Sequence, residues 1–537
     1  MPTADGRLAA LSRRVDGFNL GVGAITAGLA AFLLLRLHAL PPHEDETLAF
    51  FVSRGPLGEV LETVLGERGG APLHYLLAYA AGRIDPGLTS LRLISVAFAV
   101  ASVPVVAALA ARLTDRWTAL CATLLTAVSW TMLYHGIYAR MYSLFLFTSV
   151  LSLLLLLRAL ERGTRGRWAL WAAATLALLA TQPYGVLVLA AEGAYVALLR
   201  FRRPLPLRAP LVALAAVLVL AGPLWRTYFL LASRFEVGLG AGSGSELGSP
   251  LDVVEYLWEV LGDFTAGWLV VAIPVALVAL FGFVVLARTR PESALLMGAA
   301  VVVTALALVA ARSGAGASLE TRHLIFLLPF FATAFAVGLL RIAGLAGRAA
   351  PAVAAGGLGL VLAAQVAWGL ERTRWLYTGE PEARAEARAE AAEWLAATGR
   401  ADDVLFGYEP TYLDAWEEGA PFGDIFVPRA DPKLSVQALE EAGEPLGRGT
   451  WVLDASDELD QDRVRLTIPA LSPGAGFESR GFGPFLVLRS LEPTGTMENF
   501  IEATIRVQEL AVELEIGDAG RNLLTAEEAR EDLRADR

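Results

Sequence analysis

The chain has 537 residues, 55% of them hydrophobic, and its mean hydropathy is +0.52. Soluble globular chains are about 45–50% apolar, so the excess argues against an ordinary soluble protein. The charge is divided along the chain: residues 1–370 contain 27 Arg and Lys against 20 Asp and Glu, a net of +7, whereas residues 371–537 contain 17 against 35, a net of −18. An acidic part of this size argues against nucleic acid as a partner.

The N-terminus resembles a signal peptide, because Arg7, Arg13 and Arg14 precede an apolar stretch. That stretch, residues 18–40, is however long enough to cross a bilayer, and no small-residue cleavage site ends it. We therefore predict a retained first membrane helix. The single cysteine, Cys121, excludes an intramolecular disulfide, so a domain outside the membrane must fold on its own core.

Eleven segments are apolar and long enough to be membrane helices. They are residues 18–40, 89–112, 116–134, 139–157, 168–182, 183–200, 208–230, 266–287, 292–311, 322–341 and 350–370. If the N-terminus is cytoplasmic, arginines concentrate in the cytoplasmic loops, as the positive-inside rule requires. The arginines are Arg112, Arg116, Arg158, Arg162, Arg165, Arg167, Arg200, Arg202, Arg203, Arg208, Arg288, Arg290, Arg341 and Arg348. This topology places the C-terminal part on the extracytoplasmic side of the plasma or inner membrane.

Two segments on the outer side are too long to be turns. Residues 41–89 contain three stretches with the composition of short surface helices, Glu46–Arg54, Leu57–Glu67 and Pro72–Ile84. Residues 231–265 contain a Gly-rich stretch, 238–245, followed by an apolar-patterned helix. Long loops of this kind are usually functional lids or disordered.

Beyond residue 370 the composition and the hydropathy pattern change, and residues 371–537 are predicted to form a small, acidic α/β domain. Glu380–Ala397 is helical by composition. Short buried strands are predicted at Val404–Tyr408, Thr450–Leu453 and Pro484–Leu488. From Asn499 onwards we expect an amphipathic or frayed tail.

Three consecutive carboxylates, Glu44, Asp45 and Glu46, follow the first helix. Mutual repulsion disfavours the ionisation of all three unless they are hydrated or paired. The cluster is either a general base or cation site, or a hydrated group of interfacial acids.

Titratable side chains gather at the outer face on the predicted topology. All five histidines lie there: His38, His43, His74, His135 and His323. A general tolerance of histidine at interfaces does not explain why one interface has all five, and convergence of titratable groups is typical of an active site. Arg140 and Arg322 lie at the same face, where arginine either recognises phosphate or anchors lipid headgroups.

Other polar residues allow simpler interpretations. Tyr138, Tyr142 and Tyr184 are aromatic-belt residues by default. Glu192 lies in the middle of a predicted span, so it is expected to face protein or a water-filled cavity, in a structural ion pair or a substrate site.

In these residues the sequence resembles the GT-C glycosyltransferases that use polyprenyl-phosphate sugars, including protein O-mannosyltransferases and aminoarabinose transferases. Asp45-Glu46 matches the acidic pair of the first outer loop in that family. Four further segments match in order: Pro72-Leu-His-Tyr-Leu-Leu, Arg92-Leu-Ile-Ser, Ala139-Arg-Met-Tyr-Ser-Leu, and Thr321-Arg-His-Leu-Ile-Phe-Leu-Leu-Pro, with His323 where tyrosine is frequent. The resemblance covers about residues 18–370, the predicted transferase domain being 1–370; the C-terminal domain resembles nothing we can name.

The resemblance implies transfer of a sugar from a polyprenyl-phosphate donor to a protein, lipid or glycan acceptor outside the membrane, with inversion at the anomeric carbon. Asp45 would be the base, with Glu46 second. Arg140 and Arg322 would stabilise the leaving phosphate. The other candidates for donor contact are His43, His74, Tyr138, Tyr142, Tyr184 and His323. Loop 231–265 would close over the acceptor.

Two alternatives remain open on the sequence alone. One is a transporter or flippase, although polarity concentrated at one face and the lack of an internal repeat disfavour it. The other is a metal-dependent enzyme with His43, His74 and the carboxylates as ligands. No ligand spacing in the sequence supports a required metal, and a divalent ion remains an open option because members of the family differ in metal use.

Overall fold

The computed structural model describes residues 16–68, 70, 72–235, 249–311, 320–423, 425–429, 432–455, 476–514 and 516. The N-terminal arginines and the Gly-rich stretch 238–245 lie outside these residues. The described part is a body of apolar helices with a small mixed sheet at its C-terminal end, which confirms the predicted fold class.

Seven helical segments in the described part are long and apolar enough to span a bilayer. They are α1 (Gly17–Leu35), α5 (Leu88–Leu113), α8 (Tyr142–Arg162), α14 (Leu269–Thr289), α15 (Pro291–Ala311), the segment from a 3₁₀ turn (Thr321–Leu327) through α16 (Leu328–Gly344), and the segment from a second 3₁₀ turn (Gly347–Ala349) through α17 (Ala350–Arg372). Leucine, valine and phenylalanine side chains remain exposed on many of these helices, as expected of a lipid-facing surface.

Two more spans are bent pairs of helices, α6 (Arg116–Val128) with α7 (Trp130–Ile137) and α11 (Arg208–Leu220) with α12 (Gly222–Phe235). The bends are 55° and 57°. At the first bend Ser129 has extended backbone angles and its hydroxyl accepts the amide of Met132, so it ends one helix and caps the next. The sequence predicted one membrane segment here, residues 116–134, and the serine cap divides it into two helices.

Two shorter helices, α9 (Arg165–Thr181) and α10 (Gly185–Arg200), have 17 and 16 residues. At 1.5 Å per residue each is about 24–26 Å long, slightly less than the roughly 30 Å hydrocarbon core. Counting them with the long helices and the bent pairs gives the eleven predicted segments, so the topology of eleven spans remains a prediction consistent with these bounds.

The first outer segment forms the predicted surface helices, α2 (Glu44–Arg54), α3 (Leu57–Glu62) and α4 (Pro72–Gly82), with a π-helical turn at Thr63–Arg68. Helix α2 begins two residues earlier than the sequence pattern suggests. The reason is a capping box: the ring of His43 accepts the Asp45 amide, and the Glu46 carboxylate accepts the His43 amide. The other predicted loop contains α13 (Pro250–Phe264), close to the expected helix.

The C-terminal part contains α18 (Arg374–Thr378), α19 (Ala385–Thr398), β1 (Val404–Phe406), α20 (Pro410–Glu417), β2 (Phe426–Val427), α21 (Pro432–Ala442), β3 (Gly449–Asp454), β4 (Phe477–Phe482), β5 (Phe485–Ser490) and α22 (Met497–Glu513). The strand order is β2-β1-β3-β5-β4, with β1 parallel to both neighbours and the last three strands antiparallel. The described part of the predicted tail is the helix α22, which packs on the sheet, and the Trp451 indole donates to Thr504 at 3.0 Å; residues 517–537 lie outside the described residues.

The C-terminal part does not rely on its own core alone. One hydrophobic cluster joins Phe50 and Phe51 of α2 to Leu413 of α20, Phe426 of β2 and Val487 of β5. The C-terminal part has a second cluster of its own around Trp451 and Phe500, so it combines its own core with one that it shares with the outer surface helices. The boundary at residue 370 remains an interpretation.

Candidate active site

The first turn of α2 holds the three consecutive carboxylates, and their side chains diverge. Successive residues of a helix point about 100° apart, so neighbours face different surroundings. Glu44 pairs with Arg429 at 2.5 Å, Asp45 faces Arg140 and Arg322, and Glu46 pairs with Arg92 at 2.7 Å. The repulsion anticipated from the sequence is thus offset by guanidinium groups from separate parts of the chain.

Asp45 lies at the centre of this arrangement, with a quarter of its side chain exposed. Its carboxylate is 3.7 Å from the guanidinium of Arg140 and 3.4 Å from that of Arg322. Burial raises the pKa of Asp45, but the two guanidinium groups outweigh burial and hold the pKa well below its ordinary value. An ionised carboxylate with access to solvent therefore lies between two permanent cations.

Tyr138 and His43 complete the immediate surroundings of this carboxylate. The Tyr138 hydroxyl donates to Asp45 at 2.9 Å and lies 3.0 Å from Nδ1 of His43. Because Nδ1 also accepts the Asp45 amide at 3.1 Å, the ring is oriented by the helix that it caps. Burial, with a smaller contribution from Asp45, raises the pKa of Tyr138 well above 10, so this hydroxyl keeps its proton.

Each of the two arginines is held by further contacts. Arg140 donates to the Asp45 carbonyl at 3.3 Å and to the Tyr75 hydroxyl at 3.5 Å. Arg322 pairs with Glu320 and lies over the ring of Tyr142, 5.0 Å from its centroid. Held in this way, both guanidinium groups are preorganised to bind an oxyanion.

Aromatic and imidazole rings border the arginines. His323 stacks on Tyr184 with ring centroids 4.6 Å apart and lies 6.0 Å from Tyr142. His135 lies 4.9 Å from Tyr142. The predicted gathering of histidines is thus found in space for His43, His135 and His323, around the paired rings of Tyr138 and Tyr142.

His74 and His38 are placed differently. His74 is buried on α4; burial and the charge of Arg140 lower its pKa to about 3, so its ring is neutral near pH 7. It is near enough for Asp45 to influence its pKa. His38 is exposed in the turn after α1 and makes none of the contacts to Asp45, Arg140 or Arg322 described above.

Glu46 has a different environment from Asp45, although both were candidates for catalysis. Its side chain is fully buried and accepts two hydrogen bonds from Arg92, at 3.0 and 2.7 Å, and the Ala139 amide at 2.7 Å. Arg92 also donates to the carbonyls of Leu37 and Leu40. This buried clamp joins the turn after α1, the start of α2, the first turns of α5 and the turn before α8.

Glu192 forms no ion pair with the residues that the structure describes and is not part of this cluster. It is buried between helices and accepts hydrogen bonds from Ser152 at 2.8 Å and the Trp171 indole at 3.0 Å. These contacts tie α8, α9 and α10 together.

The metal-enzyme alternative lacks a ligand set in the described part of the chain. No group of three His, Cys, Asp or Glu side chains there has an arrangement that could hold a metal ion. His43 is instead engaged with Tyr138 and the α2 amide, and Glu46 with Arg92.

Sequence reasoning missed several residues that build the site. Tyr75 and Arg92 lie inside the motifs given above and Glu320 immediately precedes the last of them, but nothing in the sequence identified these residues as contacts of Arg140, Glu46 and Arg322. Arg429, the partner of Glu44, lies 385 residues away in the C-terminal part. Local patterns carry no information about a contact over that separation.

Comparison with known proteins agrees with the fold. Residues 71–225 match the model of a family described as dolichyl-phosphate-mannose-protein mannosyltransferase. The crystal structure of ArnT from Cupriavidus metallidurans in the apo state is similar over 87% of this chain and 97% of that one, with 15% identity and a TM-score of 0.58. The structure of the same protein bound to undecaprenyl phosphate matches over the same shares with 15% identity and a TM-score of 0.55. No curated protein matches the sequence.

The structural similarity establishes a GT-C fold, and the family match covers the surface helix α4 and the turn that holds Tyr138 and Arg140. The chain is therefore a multi-pass membrane glycosyltransferase with the GT-C fold. The transporter interpretation receives no support from these comparisons.

Proposed function

We propose that this glycosyltransferase moves a sugar from a polyprenyl-phosphate donor to an acceptor hydroxyl at the extracytoplasmic membrane face. The observation that carries the proposal is the position of Asp45 between Arg140 and Arg322. A carboxylate base and two phosphate-binding cations, held together at the ends of membrane helices, are the groups that this reaction requires. The family match in residues 71–225 and the undecaprenyl phosphate bound to ArnT support the choice of donor.

In the proposed reaction the acceptor oxygen attacks the anomeric carbon as the bond from that carbon to the phosphate oxygen breaks. The acceptor proton passes to the Asp45 carboxylate. The electron pair of the broken bond leaves on the polyprenyl phosphate, whose negative charge Arg140 and Arg322 stabilise. One displacement at one carbon inverts the anomeric configuration.

The lowered pKa of Asp45 makes it a weak base while it is paired with Arg140 and Arg322. A phosphate bound to Arg140 and Arg322 would compete for both guanidinium groups and bring negative charge close to the carboxylate. Both effects raise the pKa of Asp45. Donor binding would therefore strengthen the base at the moment when it is needed.

The aromatic border gives the donor a second set of contacts. Tyr138, Tyr142, Tyr184 and His323 surround the arginines with ring faces and polar edges, a combination suited to a sugar ring. We assign His43 to orienting Asp45 and Tyr138, and neutral His74 to the back of the site behind Arg140. The acceptor is left unspecified.

The proposed function includes an orientation of the chain in the membrane. Arginine-rich loops on one side support an N-terminus in the cytoplasm, and with eleven spans the residues after 372 would lie outside. The Asp45 site is then on the outer face, with membrane lipid around the helical body.

The proposal is tested with membranes containing the protein and labelled polyprenyl-phosphate sugars. Wild-type protein should release polyprenyl phosphate and transfer the label to an acceptor with inverted configuration. Asp45→Asn, which keeps size and hydrogen bonding, should lower transfer by about 10²–10⁴-fold without loss of membrane insertion. Full activity of Asp45→Asn would rule out Asp45 as the base.

A further inference from the structure

The C-terminal part contacts the residue next to the candidate base through an arginine. Arg429, which follows β2, donates to Glu44 of α2 at 2.5 Å and to Glu409 at 2.5 Å. Glu409 is the N-cap residue of α20 and is buried, whereas Glu44 is partly exposed. One guanidinium group therefore joins the loop after β2 and the start of α20 to the residue next to Asp45.

We propose that Arg429 is a positioning residue for Asp45, and that the C-terminal domain orients the catalytic helix through it. This inference rests on the proposed function of Asp45. The first turn of α2 is held from both sides: Arg92 of the membrane body holds Glu46, and Arg429 of the C-terminal domain holds Glu44. Because these residues flank Asp45 at about 100° on either side, the two ion pairs fix the rotation of the helix and so the direction of the Asp45 carboxylate.

Aromatic side chains near this ion pair add a hydrophobic contact between α2 and the C-terminal domain. Phe51 of α2 lies against Phe426 with ring centroids 4.2 Å apart, and Phe50 lies against Trp416 at 4.9 Å. The hydrophobic contact sets the distance between α2 and the C-terminal domain. The directional ion pair at the start of the helix sets its rotation, since apolar contacts have no preferred direction.

Rotation matters because the geometry around Asp45 is demanding. A displacement of about 1 Å in a reacting group can cost about 10²-fold in rate. Loss of the Glu44–Arg429 pair should thus lower kcat and leave the KM for the donor roughly unchanged, because Arg140 and Arg322 are supplied by other elements.

Point variants suit this test better than removal of the domain, which would expose the shared hydrophobic cluster. Glu44→Gln is the cleaner variant because Glu44 is partly exposed. Arg429→Gln also leaves Glu409 buried without its partner, although burial raises the pKa of Glu409 and allows it to become neutral. Arg448→Gln is the matched control: Arg448 pairs with Asp403 at 2.9 Å and donates to the Thr398 carbonyl, contacts that lie within the C-terminal domain.

The experiment measures donor transfer and hydrogen exchange of residues 44–54 in the full chain. Glu44→Gln and Arg429→Gln should each lower kcat by about 10-fold or more at unchanged donor KM. The double variant should have a kcat no lower than that of the poorer single variant. Both single variants should speed hydrogen exchange in α2. Arg448→Gln should change neither readout.

Three results would overturn the inference: wild-type kcat in both variants, additive losses in the double variant, or an equal loss in Arg448→Gln. If the wild-type protein itself transfers no sugar, the proposed function fails while hydrogen exchange still decides the positioning. Faster exchange in α2 for both variants supports it, and unchanged exchange refutes it.

Discussion

At the scale of single residues, the site depends on how one carboxylate and two guanidinium groups share charge. Asp45 forms ion pairs with Arg140 and Arg322, and the incoming phosphate is proposed to replace it as their partner. Charge, rather than a specific hydrogen-bond pattern, thus links donor binding to activation of the base. The next two predictions separate the roles of the cations and of the carboxylate.

Replacement of either arginine should reduce the stabilisation of the leaving phosphate. Arg140→Gln and Arg322→Gln are each expected to lower kcat by about 10²–10³-fold, because a preorganised charge is lost where negative charge develops. Arg322→Lys should restore only part of the rate, since lysine lacks the planar guanidinium that lies over Tyr142. Steady-state kinetics in detergent or nanodiscs measure these effects, and a wild-type rate in Arg322→Lys would argue for a simple point charge.

The pH dependence of kcat/KM should report the lowered pKa of Asp45 in the free enzyme. This carboxyl stays ionised as the pH falls through its ordinary pKa of 3.8, so it should produce no loss of activity between pH 5 and 8. The stabilisation from its ion pairs is likewise complete above the unfolded pKa of about 3.9 and is lost only as pH falls through the lower folded pKa.

A matched variant tests this assignment. Arg322→Gln removes one of the two cations that lower the pKa, so the acid limit of kcat/KM should move to higher pH. An acid limit that does not move would assign the low pKa to another cause.

The sequence carried part of this information. Asp45, Arg140 and Arg322 were predicted because residue type, order and predicted topology placed them at one face. The separate partners of Glu44 and Glu46 were not foreseen, because Arg92 and Arg429 are 46 and 385 residues from their carboxylates. Hydropathy and periodicity do not encode pairings over such distances.

At the scale of secondary structure elements, the site is held where helix ends meet. The Glu46–Arg92 clamp joins α1, α2 and the turn before α8, and both side chains are nearly fully buried, at 0% and 2% exposed. Removal of one partner would leave the other charge buried without compensation. The clamp should therefore contribute to stability as well as to alignment.

Arg92→Met is expected to destabilise the folded protein by about 3–5 kcal/mol, measured as a lower midpoint of thermal unfolding in detergent. The control is Arg112→Met, because Arg112 pairs with Glu161 in a largely solvent-exposed contact. Such a pair contributes about 0–1 kcal/mol at most. Equal shifts in the two variants would show that burial of the Glu46–Arg92 pair has no special importance.

The bounds of the helices were predicted well where the length of an apolar segment determines them and less well where a capping side chain determines them. The long spans and the short surface helices follow from hydropathy. The break at Ser129 and the early start of α2 depend on side-chain capping by Ser129 and by His43 with Glu46. These caps involve single residues that also occur inside helices or loops, so their effect was visible only in the structure.

At the scale of the whole molecule, the central expectation is an outer face built from both halves of the chain. The sequence suggested a basic membrane body and a separate acidic domain. The structure adds a hydrophobic cluster that α2 and α4 share with the C-terminal sheet. Composition distinguishes the halves by charge and cannot show that they pack together.

The orientation can be tested with the lone cysteine removed. In a Cys121→Ser background, a membrane-impermeant thiol reagent should label Glu390→Cys, an exposed position of the C-terminal part, in intact cells. Arg348→Cys, also exposed and predicted to be cytoplasmic, should react only after permeabilisation. The reverse pattern would mean that the number of spans is even or that the orientation is inverted.

The most direct test of the account measures binding and transfer in the same preparation of Asp45→Asn. If Asp45 is the base and competes with phosphate for Arg140 and Arg322, this variant should bind polyprenyl phosphate at least as tightly as wild type while transfer falls by about 10²–10⁴-fold. Unchanged transfer, or a parallel loss of binding and transfer, would contradict the proposed site.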